Sequence, residues 1–148
     1  MPANFRFVGI IFLVLGFVFG IARFKYGLKP EILDMEVFAF ATSYIENKYL
    51  EIIGNNMGEE ITIFFLLTGL FLIAFSGEKN ENEEFNVIRF KAFFIAAYSN
   101  FVFLLAAVFF TYGFSFVYML MVNMGFGLLV FITAFQVLLL KSRSNKSD

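Results

Sequence analysis

The chain has 148 residues, of which 60% are hydrophobic, 16% are charged and 25 are phenylalanine, and its formal net charge is −1. Soluble domains carry about 25% charged residues, and a single soluble domain of this length has too little interior to hide so much apolar surface. The scarcity of polar residues excludes disorder, and the absence of histidine and cysteine excludes haem ligation, thiolate or histidine catalysis, disulfides and the usual zinc and copper sites. Without an excess of cations there is no basic surface for nucleic acid. The composition is that of an integral membrane protein.

The first uncharged run, residues 7–22, lies between Arg6 and Arg23. Its 16 residues cover about 24 Å as a helix, short of the ~30 Å hydrocarbon core, and the two arginines can reach for the headgroups to make up the difference. A cleaved signal peptide is the rival reading, but Phe19-Gly20-Ile21-Ala22-Arg23-Phe24 is a poor small-residue cleavage site. Gly16 and Gly20 form a GxxxG step, with Gly9 one heptad earlier, and Gly125 and Gly127 lie in the last span. Small residues at such spacings let another helix come close.

The outer loop, residues 24–60, is too long for a plain connector. Met35, Phe38, Ala41, Ile45, Tyr49 and Ile52 recur at three- and four-residue steps, with Glu36, Ser43, Asn47 and Glu51 roughly opposite. This spacing predicts an extracytoplasmic amphipathic helix that packs its Phe38–Ile45–Ile52 face inward. It either covers the bundle or serves a sensing or partner-binding role.

The second span is residues 61–77, between Glu60 and Glu78. After an inner loop at 78–91 comes a stretch of 49 uncharged residues, 92–140. That is too long for one crossing and suits two, at 92–111 and 116–140, with the turn at Thr111-Tyr112-Gly113-Phe114-Ser115. The expected fold is an all-α, four-transmembrane-helix bundle forming one membrane domain. Both termini and the inner loop then share a side with seven cations, against four on the other: Arg23, Lys25, Lys29 and Lys48. The positive-inside rule puts both termini in the cytoplasm, and Tyr26, Tyr112 and Tyr118 mark the outer interface.

Polar side chains within spans are costly and need a partner or a purpose. Tyr98, Ser99 and Asn100 lie in the third span, and Asn123, Thr133 and Gln136 in the fourth. Counted from Gly113, Asn100 and Asn123 differ in depth by about 5 Å, one helical turn. The two amides are expected to face the interior and to bond to each other, to Tyr98 or Ser99, or to a shared water. Such a set either fixes helix register or lines a path for a ligand or ion. In the inner loop, Asn80 and Glu83 have a capping-box offset, and Glu78, Glu81, Glu83 and Glu84 form an acidic patch. The patch is a solvated face or a site for a basic partner; no EF-hand spacing is present.

Asn55-Asn56 with Glu59-Glu60-Ile61, then Phe75-Ser76-Gly77-Glu78-Lys79 with Glu81, Glu83, Glu84 and Arg89, make one pattern. It continues through Ala97-Tyr98-Ser99-Asn100, Tyr112-Gly113 and Asn123-Met124. The set resembles small uncharacterised four-helix bacterial membrane proteins, over roughly residues 51–140. This chain has Gly77 where that family tends to have a lysine. The resemblance implies a membrane partner for a soluble regulator of the helix-turn-helix type. The functional expectation is a non-catalytic membrane protein, without cofactor or metal, that senses a signal or holds a soluble regulatory partner. The alternative is a small transporter or channel subunit acting as a homo-oligomer. A membrane enzyme ranks third, since Glu59, Glu60, Glu83 and Glu84 show no recognised catalytic arrangement.

Overall fold

A computed structural model describes residues 4–43, 47–77 and 83–144. Its elements are α1 (Phe5–Gly20), β1 (Asp34–Ser43), β2 (Asn47–Asn56), α2 (Gly58–Phe75), α3 (Glu83–Phe110) and α4 (Phe114–Ser144). Among the described residues four helices are long and apolar enough to cross a membrane. Large side chains such as Phe109, Phe110 and Phe114 stand on their surfaces in the open, as expected of a membrane-type protein and unlike a soluble one. The chain divides into two compact units, Val14–Leu66 and Met1–Leu13 with Leu67–Asp148.

In the first of these units, α1 runs on past Gly20 through a widened π-type turn at Ile21–Lys25. The uncharged run is therefore not the whole helix, which carries Arg23 and Lys25 on its last turns. Gly27, at φ +63°, and Pro30 then end it. Gly16 sits against Leu66, where an added Cβ would come within 2.8 Å, and Gly20 faces Thr62. The GxxxG face is thus occupied within the chain. Thr62 is buried there but satisfied, donating to the Gly58 carbonyl at 2.7 Å.

The segment expected to be an amphipathic helix is an antiparallel β-hairpin. Its register pairs Val37 with Ile53, Phe38 with Ile52 and Asp34 with Asn56. Phe38 and Ile52 meet across the strands but are largely exposed, so they do not form an inward face. The expected Ile45 lies outside the described residues. The physical reason for the error is that strand preference and cross-strand pairing outweighed the helical spacing, which in a strand puts Met35 and Phe38, three positions apart, on opposite faces. Val37, Thr42, Tyr49, Ile52 and Ile53 are β-branched or aromatic, which favours strands, and Gly54 and the Asn55-Asn56 pair interrupt any helix.

In the second unit α3 and α4 form a helical hairpin joined at Thr111–Gly113, with Gly113 at φ +62°. Thr111 closes α3 by donating its backbone N–H (3.0 Å) and its hydroxyl (2.6 Å) to the Ala107 carbonyl. The core is built from small residues facing large ones: Ala74, Ala92 and Ala96 against Phe131 and Phe135. Phe75 of α2 stacks on Phe131 at 5.5 Å, and the Arg89 guanidinium lies 5.6 Å over the Phe135 ring. Gly9 and Gly69 let backbones touch, since a Cβ on Gly69 would lie 2.8 Å from the Leu13 nitrogen and 2.9 Å from the Gly9 oxygen.

Candidate functional site

Buried positions on α3 fall at Ala92, Ala96 and Ala107, and on α4 at Phe131, Phe135 and Leu139. Extending these stripes by one four-residue step places Asn100 after Ala96, and by two steps places Asn123 before Phe131. Both asparagines therefore belong to the packed faces of their helices, where i and i+4 align. They open onto one groove of about 470 Å³, within the range usual for small-molecule sites. Phe75 of α2 and Phe93, Ala96 and Ala97 of α3 form part of its wall. Met124, Gly127, Leu128 and Phe131 of α4 form the rest. The groove is apolar apart from the two amides, and Phe93 and Met124 at its rim are 53% and 56% exposed.

The amides are not bonded to each other. The carbonyl oxygens of Asn100 and Asn123 are both shielded from solvent, and neither has a hydrogen-bond partner among the described residues. The reason lies in register. Asn100 faces Gly127, where an added Cβ would come within 3.2 Å of its Oδ1. Gly127 is four residues beyond Asn123, so the two amides are offset by about 6 Å along α4, too far for a direct bond. Tyr98 does not join them either. It points outward, 71% exposed, with its ring 6.4 Å from Phe94. Ser99 is half-buried on α3 and is no partner of either oxygen.

Thr133, expected as a further intramembrane polar residue, donates to the Leu129 and Val130 carbonyls at 3.0 Å and is satisfied by its own helix. Of the acidic patch, Glu83 and Glu84 are exposed in the first turn of α3, where negative charge suits the helix dipole. Glu78 and Glu81 lie outside the described residues.

A second polar cluster forms at the foot of the hairpin, and its bonding was not foreseen. Asn56 Nδ2 donates to Asp34 Oδ1 at 2.6 Å and to the Pro30 carbonyl at 3.2 Å, while its Oδ1 accepts from the Gly58 N–H at 3.3 Å. Asn55 Nδ2 donates to Glu60 Oε1 at 2.7 Å. Arg23, only 13% exposed at its side chain, pairs with Glu59 at 2.9 Å. The sequence signal was the Asn-Asn dipeptide two residues before a helix that opens with two acids, a helix-capping arrangement. This cluster is internally satisfied, and among the described residues no three acids converge as metal ligands.

The groove's aromatic walls were also missed, since Phe75, Phe93 and Phe131 carry no signature in an apolar run; Gly127, expected as a point of close helix approach, is where Asn100 packs. No family model, curated protein or solved structure matches the chain.

Proposed function

We propose that the chain is a non-catalytic, multi-pass protein of the bacterial cytoplasmic membrane, with both termini inside, that senses a small apolar ligand and holds a soluble regulatory protein. One observation carries this reading. A single helix, α3, bears exposed acids in its first turn at Glu83 and Glu84 and an unpaired amide at Asn100 in the groove. Asn100 lies 17 positions after Glu83, about 26 Å along one rigid rod. A ligand that shifts α3 against α4 therefore moves the acidic turn, a route for coupling groove to partner through a packed element. The absence of any histidine or cysteine supports a role without catalysis.

Two experiments test this. Cysteine placed at Ser144 and at Ser43 is read with an impermeant thiol reagent on intact cells; labelling of Ser43 alone is expected, and labelling of Ser144 alone reverses the topology. Photo-crosslinking residues at Glu83 and Glu84 should capture one soluble protein, and Glu83→Lys with Glu84→Lys should abolish the capture. Solute flux through proteoliposomes of the purified protein would replace this reading with a transporter or channel subunit.

A further inference from the structure

Resting on the sensor reading above, we infer that the α3–α4 groove binds a planar apolar carbonyl compound, the chemical class of the quinones. Two requirements lead there. The first is the polar equipment. Each asparagine buries its carbonyl oxygen without a partner, that of Asn100 against Gly127, and among the described residues neither makes any other hydrogen bond. The NH₂ edge of each amide is then the end that meets the groove, and an N–H can only donate. The occupant must supply acceptors, and it must supply two of them, about one helical turn apart.

The second requirement is shape and polarity. The rings of Phe75 and Phe131 are already stacked on one another at 5.5 Å and 18°, and Phe93 stands at the rim. Aromatic walls favour a flat ring in an offset or edge-on arrangement. No charged side chain lines the groove, so an ionised ligand would lose its hydration without compensation. A lipid acyl chain fills an apolar groove but offers no acceptor at this position and leaves both amides unpaired. A neutral ring with two carbonyl oxygens meets every condition.

The purified full chain in detergent, with equilibrium dialysis, tests this without any partner protein, so its outcome is separate from that of the crosslinking experiment. Menadione, a tail-free quinone, is compared with 2-methylnaphthalene, which has the same ring outline and no acceptor. Saturable binding of menadione is expected, at least tenfold tighter than that of the hydrocarbon. Asn100→Leu and Asn123→Leu should each weaken menadione about fivefold, the worth of one hydrogen bond, and leave 2-methylnaphthalene unchanged. Ala97→Phe, which fills the groove from its exposed edge and spares both amides, should abolish binding of both probes. Tyr98→Phe, on the outward face, should change nothing. Equal affinity for the two probes, or menadione uptake that is the same in Ala97→Phe as in the native chain, would overturn the inference.

Discussion

Asn55 and Asn56, at the foot of the β-hairpin, donate to Glu60, Asp34 and the Pro30 carbonyl and accept from the Gly58 N–H. Asn100 and Asn123, in the α3–α4 groove, leave both carbonyl oxygens unpaired. The same side chain is used in one region to finish a backbone and in the other is buried with its oxygen unsatisfied. At the hairpin the chain must turn from strand to helix, which strands several N–H and C=O groups, and asparagine is the residue that bonds its own backbone at such junctions. In the groove every backbone group is already spent within the helices, so an amide there serves no structural need of the main chain. An unpaired buried polar group costs about 1–3 kcal/mol, so the two oxygens on these packing stripes weigh against stability where the hairpin amides add to it.

The contrast can be broken most directly at Asn56. Asn56→Leu removes the acceptor of the Gly58 N–H and the donor to Asp34 and Pro30 together, and a loss of about 2 kcal/mol in unfolding free energy is expected. Thermal unfolding in detergent measures it, and a change under about 0.5 kcal/mol would show that the hairpin junction is held by something else.

Arg23 and Glu59 give a smaller effect. One partner is 13% exposed and the other 53%, so a double-mutant cycle with Arg23→Ala and Glu59→Ala should return at most about 1 kcal/mol of coupling. That coupling should shrink as salt is raised; salt-independent coupling would mean that the pair is more deeply desolvated than its exposure indicates.

At the groove the expected sign is reversed. Asn100→Leu and Asn123→Leu replace amides that leave a buried oxygen unpaired by an apolar group of similar size, and each should leave stability unchanged or raise it by up to about 1 kcal/mol. Because the amides are not bonded to each other, the double substitution should be additive within about 0.5 kcal/mol. Marked non-additivity would show that they pair after all. The smallest effect is at Gly127→Ala. The new Cβ, 3.2 Å from Asn100 Oδ1, should cost a few tenths of a kcal/mol net of the gain in helix propensity. The same change in an Asn100→Ala background should cost nothing.

How far the sequence could be read differs between the same two regions. The helical turn at Gly113 and the apolar character of all four helices follow from local signals: a run of uncharged residues and a glycine free to take φ +62°. The placement of Asn100 and Asn123 on packed faces was also legible, because a polar residue in an apolar helix is cheapest against another helix. The hairpin was not. Met35, Phe38, Tyr49 and Ile52 fit a period of 3.6 and not a period of two, since the odd steps between them alternate the faces of a strand, so the spacing pointed to a helix and only strand propensity and cross-strand pairing overruled it.

Composition and charge spacing thus determined by themselves that four long apolar helices form and where the chain turns between the last two, since each helix satisfies its own backbone and requires only a run of apolar residues. Tertiary structure alone decided the remainder. Strand pairing couples residues up to 22 positions apart, as Asp34 with Asn56, and no local window contains both partners. The register of α3 on α4, with Asn100 opposite Gly127 rather than Asn123, is fixed by alanines seating against phenylalanines along the whole interface. The one-turn offset between the two amides was countable from Gly113; what only the packed structure decided is that nothing among the described residues bridges it, so that both carbonyl oxygens stay unpaired.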